Sequence, residues 1–364
     1  MPFPIDPEAL TTEWLTRTLR DAGAIQSAKV TAFQTRELSQ AKGMAARYIL
    51  ISLSYDTPKS DAPRSLFAKF PRPNWAEKGD QMGTFDRESH FYRHLADRVV
   101  LRVPRCYYNA LDETGFLLLL EDLSPARCGD RVAGCSFEQA ELAVAQVAGM
   151  HAAWWMHPDL SNPDLVVQPD LDVFQTYAGM YSESARAFME KAGHLIPTGV
   201  SEVVERIGDY FMPIVLYTFQ EPPLTFIHAD YHLDNLFFAT PEGGTPFAVI
   251  DWHQGQQGQG PYDIGYFLCR SFPPGDRKAW ERKLLETYYA RLIEGGVEDY
   301  PFNRCWHDYQ FSQLLNLMRI VMIIGDDMMG PDQKNLFYDI LMPRSCAAAL
   351  ELNAVDLVDK LTRQ

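Results

Sequence analysis

Phe226-Ile227-His228-Ala229-Asp230-Tyr231-His232-Leu233-Asp234-Asn235, followed by an apolar segment and then Val249-Ile250-Asp251-Trp252, decides how this chain is read. An apolar run feeds a polar loop, a second apolar run follows, and a second acid stands where that run ends. Asp230 and Asn235 share one loop, and Asp251 closes the hairpin that returns to it. One strand-loop-strand unit therefore places three oxygen-bearing side chains. Phosphoryl transfer needs such a set: a carboxylate to orient and deprotonate a hydroxyl, with an amide and a second carboxylate to hold magnesium on nucleotide phosphates.

The segment resembles the catalytic and metal-binding loops of the aminoglycoside phosphotransferase and choline kinase superfamily, which has a protein-kinase-like fold. The usual pattern there is His-Gly-Asp, four residues, Asn, and later Ile-Asp-Trp or Ile-Asp-Phe. Ala229 stands here where glycine is common. The resemblance implies Asp230 as the catalytic base, Asn235 and Asp251 as magnesium ligands, and His228 as a brace for the loop. Gly260-Pro261-Tyr262-Asp263-Ile264 resembles the family's Asp-Leu-Ala segment, whose Asp caps a helix and supports the catalytic loop, so Asp263 takes that role by resemblance.

Working backwards, Ser65-Leu66-Phe67-Ala68-Lys69-Phe70 reads as a short strand with a lysine among apolar neighbours. An edge-strand charge is the plain alternative for that lysine. In Phe85–Leu95, Glu88, Phe91, Tyr92 and Leu95 fall at i, i+3, i+4 and i+7, so a carboxylate shares an inward helical stripe. An inward carboxylate needs a partner. Lys69 and Glu88 resemble the kinase strand-lysine and helix-glutamate pair that grips the nucleotide phosphates; a surface salt bridge is the alternative. The small-residue turn around Gly43, with Lys42 and Arg47 near it, lies in the position of a nucleotide-covering loop, although such turns are often only hairpins.

Gly115-Phe116-Leu117-Leu118-Leu119-Leu120 is a continuous apolar run, the mark of a central strand. It ends in Glu121-Asp122-Leu123, expected to be a hinge whose backbone meets adenine, with Asp122 read equally well as a turn residue. Glu121-Asp122-Leu123 and Glu88-Ser89-His90-Phe91-Tyr92 both resemble the ecdysteroid-kinase-like branch of the superfamily.

An opening helix is expected from Asp6-Pro7 to about Ala22-Gly23, with strands over 28–38 and 45–55. Helical spacing covers 136–157, 171–191, 201–219, 276–295, 303–324 and 345–361. The expected fold is α+β and two-lobed: a five-stranded antiparallel N-lobe with one key helix, then a mainly helical C-lobe. Residues 1–121 are expected to form the nucleotide-binding lobe and 122–364 the lobe with the catalytic and metal-binding loops. The resemblance covers about residues 28–325; the first helix and the last forty residues have no motif to anchor them.

Composition fits an ordinary globular enzyme, and its acidic charge does not argue against the ATP and magnesium that the resemblance implies. Of 364 residues, 46% are hydrophobic and 22% charged, enough to bury a core. A net charge of -15 argues against a nucleic-acid partner, which calls for a basic face. No apolar run has the length of a membrane span, and a cytoplasmic place is expected. Cys106, Cys128, Cys135, Cys269, Cys305 and Cys346 show no paired metal spacing and read as reduced thiols. The expected partner is a small-molecule hydroxyl acceptor. Trp154, Trp155, Phe174, Tyr177, Tyr181, Tyr262, Tyr266 and several methionines either pack the core or line an apolar acceptor pocket for a steroid-like or other apolar alcohol. Asp326-Asp327 is either an acidic acceptor contact or a solvated turn.

Two other classes compete. Alternating His228, Asp230, His232 and Asp234 could ligate metal in a hydrolase, which leaves Asn235 and Asp251 unexplained. A catalytically silent nucleotide-binding module would be expected to have lost Lys69, Asp230, Asn235 or Asp251, and all are present.

Overall fold

The apolar and alternating runs of the first third build one antiparallel sheet from β1 (Val30–Glu37), β2 (Ala46–Tyr55), β3 (Ser65–Pro71), β4 (Cys106–Asp112) and β5 (Gly115–Glu121), in the order β1-β2-β3-β5-β4. The computed structural model describes residues 3–38, 46–57, 62–72, 83–330, 333–354 and 356–357. β5 is buried from Gly115 to Leu120, between β3 and β4, as its unbroken apolar run requires. The expected α+β, kinase-like architecture is the one observed.

Strand alternation sorts the two faces of this sheet. Ile49, Ile51, Leu66, Ala68, Phe70, Leu117 and Leu119 form one apolar cluster with Trp14, Leu15 and Leu19 of the helix Thr12–Asp21. That gives the opening helix a structural role the sequence did not supply. Lys69 points to the other face, where its register partners are Tyr48 on β2 and Leu118 on β5. Phe85, from the helix Thr84–His94, packs there with Phe116 and Ala46. A one-residue slip of β3 would send Lys69 into the apolar cluster, so the hydrophobic pattern fixes its placement.

The opening helix is shorter than expected. A single 3-10 turn spans Pro7–Ala9, Leu10 is extended, and the α-helix starts afresh at Thr12 because the Thr11 side chain accepts from the Trp14 N–H. The expected helix over 201–219 is two helices, Val200–Asp209 and Phe211–Phe219. Pro213 explains the break: its ring cannot sit over the carbonyl of Asp209 in a continuous helix.

The chain divides into two compact units. The first takes Met1–Arg98, Arg102–Arg127 and Ala239–Gln254; the second takes Val99–Leu101, Cys128–Phe238 and Gly255–Gln364. Residues 239–254, with Asp251, thus return to the unit that holds the five-stranded sheet. The second unit is mainly helical, and helices Leu171–Ala192, Val200–Asp209, Phe211–Phe219 and Phe302–Gly325 supply most of one large apolar cluster. Tyr181, Tyr262, Tyr266, Met318 and Met322 are buried in that cluster, which makes them core residues first. None of the six cysteines is in a disulfide, and no described helix is long and apolar enough to cross a membrane.

Candidate active site

In the first unit, β3 and the helix Thr84–His94 bring Lys69 and Glu88 into contact. Lys69 Nζ donates to Glu88 Oε1 at 2.6 Å and Oε2 at 2.8 Å, and both side chains are almost wholly buried. Asp251 joins them: its Oδ1 lies 3.2 Å from Lys69 Nζ and 3.1 Å from His253 Nδ1. Burial pulls the lysine pKa down, but the carboxylates of Asp251 and Glu88 outweigh it and hold the ammonium well above its ordinary value. Burial raises the Glu88 carboxyl, opposed by Lys69. One lysine therefore faces two carboxylates inside this unit.

The backbone delivers Asp251 by an unusual route. The residue has φ 67, the left-handed region that Asp tolerates better than most side chains. On one side the Val249 N–H donates to the Arg102 carbonyl at 2.9 Å. On the other, Trp252 is buried, donates from Nε1 to the Val249 carbonyl at 3.2 Å, and stacks on Phe91 with ring centroids 4.3 Å apart and planes 1° from parallel. Phe91 sits on the same helix as Glu88. Ser89, one residue on, exchanges hydrogen bonds with Asn109 of β4, which fixes that helix against the sheet.

In the second unit, the short strand Thr225–Ile227 pairs with Gln256–Gly258 and leads into the loop of Asp230. Asp263 anchors that loop. Its carboxylate is fully buried and accepts from the His228 N–H at 2.7 Å and the Ala229 N–H at 2.9 Å. His151 Nε2 lies 3.2 Å from the same carboxylate. The expected helix cap is not seen. Asp263 lies in the first turn of the helix Pro261–Ser271, Gly260 is the cap residue, and no side chain caps that end. Its oxygens are turned to the loop because two buried amides there have no strand to satisfy them.

Ala229 has φ 62, the conformation that makes glycine common at this position in the resembling family. Its N–H is held by Asp263, and its carbonyl accepts from Arg319 Nη1 at 3.2 Å. His228 Nδ1 accepts from the Asp230 N–H at 3.2 Å, which braces the turn from within.

Asp230 is then surrounded by polar side chains. Tyr266 donates to its Oδ1 at 2.7 Å, Asn235 Nδ2 donates to its carbonyl at 3.0 Å and to Oδ2 at 3.2 Å, and His232 Nε2 lies 3.4 Å from Oδ2. With its amide nitrogen committed to Asp230, Asn235 offers the carbonyl oxygen Oδ1 to a cation. Asp251 offers carboxylate oxygens. Both are the hard donors that magnesium prefers, so the residues fit that ion.

The hydrolase arrangement is not formed. Asp234 is held by Arg131, through its N–H at 2.7 Å and Nε at 2.8 Å, and His228 serves the backbone. Among the described residues no three His, Cys, Asp or Glu side chains converge as metal ligands. Asp326 accepts from Ser184 Oγ, and Asp327 lies 3.7 Å from Lys191, so the acidic pair is engaged within its own unit.

At the expected hinge, Glu121 pairs with Arg102 at 2.6 Å and accepts from the Arg105 N–H at 3.0 Å. Asp122 accepts from Ser65 Oγ at 2.5 Å and from the Ser124 N–H at 3.0 Å, the bonding of a turn residue. Leu123 is buried. Gly43 and Lys42 lie outside the described residues. The sequence missed His253, Arg319 and the bond made by Tyr266. Tyr266 could have been found: three residues after Asp263, it shares that residue's face of the helix.

Solved structures share the fold. A Ralstonia eutropha JMP134 protein assigned to the aminoglycoside phosphotransferases superposes with a TM-score of 0.58 at 17% identity, covering 95% of this chain and 98% of its own. Choline kinase from Cryptosporidium parvum Iowa II gives 0.50 at 11% identity, covering 96% of each chain. These likenesses carry the fold alone. No curated protein matches the chain. The sequence model of the ecdysteroid kinase-like family matches residues 41–298, and the chain belongs to that family.

Proposed function

We propose that the chain is an ATP- and magnesium-dependent small-molecule kinase that transfers the γ-phosphate to an acceptor hydroxyl. The observation that carries this reading is the cluster in which the buried pair Lys69 and Glu88 meets the partly exposed carboxylate of Asp251. Lys69 sets a positive charge, and Asp251 a partly exposed carboxylate, at one point, the combination that nucleotide phosphates with their magnesium call for. A magnesium-bound nucleotide suits such a cluster.

In this reading residues 1–121 are the nucleotide-binding lobe and 122–364 the catalytic lobe. Lys69, held by Glu88, grips the phosphates together with Gly43, and backbone at Glu121, Asp122 and Leu123 seats the adenine. Asn235 and Asp251 would hold magnesium, which neutralises phosphate charge when bound. Asp251 would then share its oxygens between Lys69 and the metal. Asp230 orients the acceptor hydroxyl and takes its proton, while His228 and Asp263 keep the loop in place. A cytoplasmic setting goes with this reading, as ATP is the donor.

The acceptor is proposed to be a steroid-like or other apolar alcohol, in keeping with the family; a hydroxyacyl thioester and an antibiotic follow in that order. The test is an ATP-consumption screen over hydroxyl-bearing compounds, with mass spectrometry for the gain of one phosphate. A gain on an apolar alcohol supports the reading. A folded protein that binds no ATP in the presence of magnesium would sink it.

A further inference from the structure

The base assigned to Asp230 is held by a side chain with no part in the reading so far. Tyr266 is 4% exposed, and its hydroxyl donates to Asp230 Oδ1 at 2.7 Å. Two guanidinium groups lie on its ring: that of Arg319 at 5.0 Å and that of Arg270 at 4.9 Å from the centroid. Arg270 is buried, and its Nε and Nη2 have no hydrogen-bond partner, so the ring is its principal compensation. His232 packs on the same ring with centroids 6.1 Å apart. Arg319 also donates to the Ala229 carbonyl and, at 3.0 Å, to the Tyr262 hydroxyl, so it ties the ring to the loop of Asp230. A phenol clamped this way has little freedom to turn its hydroxyl elsewhere.

We propose that Tyr266 is a positioning residue that fixes the plane of the Asp230 carboxylate, so that an acceptor hydroxyl meets it in one orientation. The inference rests on the reading of Asp230 as the base. Burial pushes the Tyr266 phenol up to about 12, so it remains a donor throughout the neutral range. Cations stacked on the ring draw electron density from it and strengthen the donated bond. A carboxylate free to rotate would present its oxygens in many directions, and misplacement of a reacting group by about 1 Å can cost about a hundredfold in rate.

The experiment uses full-length protein and slow MgATP hydrolysis, in which water takes the acceptor's place at Asp230. Tyr266→Phe is expected to lower kcat roughly tenfold to a hundredfold while KM for ATP is little changed. A 3-fluorotyrosine placed at position 266, which keeps the hydroxyl, is expected to restore the rate, and its fluorine resonance is expected to move in Asp230→Asn. Should Tyr266→Phe fail to fold, that resonance still decides the contact. An unchanged kcat in folded Tyr266→Phe, or a resonance indifferent to Asp230→Asn, overturns the inference and leaves Asp230 as base untouched. Undiminished hydrolysis in Asp230→Asn overturns both, even with the fluorine shift in place.

Discussion

Lys69 Nζ sits 2.6 Å from Glu88 Oε1, with both side chains sealed from solvent on one face of the five-stranded sheet. A pair of this kind is held by mutual need: each charge alone would be stranded in a medium that solvates it poorly. Removing one partner of a buried pair typically costs about 3–5 kcal/mol. Glu88→Ala and Lys69→Ala should each destabilise the fold by roughly that amount and weaken ATP binding, whereas the double variant should cost little more than either one. Denaturant unfolding and calorimetric ATP titration on all four members of the cycle measure this. Additive effects would mean that the contact carries no energy.

The Asp251 side chain bridges Lys69 and His253 from a left-handed backbone position. Asn tolerates that conformation almost as well as Asp, so Asp251→Asn is a cleaner probe than Asp251→Ala. We expect the asparagine variant to fold and melt near wild type but to lose ATP turnover by at least about tenfold, because the substitution removes the negative charge that Asp251 would bring to magnesium beside the neutral amide of Asn235. Turnover and circular dichroism taken together check it. A folded variant with wild-type turnover would remove Asp251 from the metal site.

Asp263 satisfies the His228 and Ala229 amides at once. Each buried donor left without a partner costs about 1–3 kcal/mol. Asp263→Ala should therefore destabilise by roughly 2–6 kcal/mol, and Asp263→Asn by about half as much, since it keeps one acceptor oxygen. Urea midpoints give the comparison. Equal midpoints for wild type and the alanine variant would show that the loop finds other partners.

Ala229 bears a strain that glycine would not, roughly 1–2 kcal/mol for a left-handed L-residue. The gain from Ala229→Gly is offset by the entropy of a freer unfolded chain, about 0.4–1 kcal/mol, and by loss of a buried methyl. Little net change in stability is expected. Ala229→Val should destabilise clearly, because a β-branched side chain is a true outlier at this φ. Thermal melts of the two variants should separate, with valine the lower; the reverse order would contradict the backbone geometry.

Alkali offers a test of burial. The phenols of Tyr48 and Tyr266 are pushed up to about 12, chiefly by burial, whereas an unfolded tyrosine ionises near about 10. The folded protein thus keeps protons that the unfolded chain has released. The stability these phenols contribute is fully present below about pH 10 and is lost as pH rises through about 12. Denaturant midpoints across that window should fall steadily, with Tyr266→Phe showing a shallower slope. A flat profile would indicate that the two rings are hydrated.

Much of the fold was legible because it rests on local pattern. The apolar run of β5, the helical stripe of Glu88 and the alternation around Lys69 each announce one element and one face. The loop from His228 to Asn235 was legible because its chemistry is dense in a short segment. What stayed hidden depends on tertiary placement. Arg319 reaches the Ala229 carbonyl from a helix 90 residues further along the chain, and nothing near Arg319 in sequence signals it. The break at Tyr210 was readable from Pro213 alone, yet the apolar spacing runs straight through it. The bond that Ser65 makes to Asp122 spans 57 residues, and no periodicity connects the two.

The stacked rings of Phe91 and Trp252 have a mechanical meaning. Phe91 belongs to the helix of Glu88, and Trp252 follows Asp251 directly. Two flat rings in contact can slide or part, but neither can tilt without carrying the other. The stack therefore ties the helix that carries Glu88 to the segment that presents Asp251, so that the two carboxylates beside Lys69 share one support.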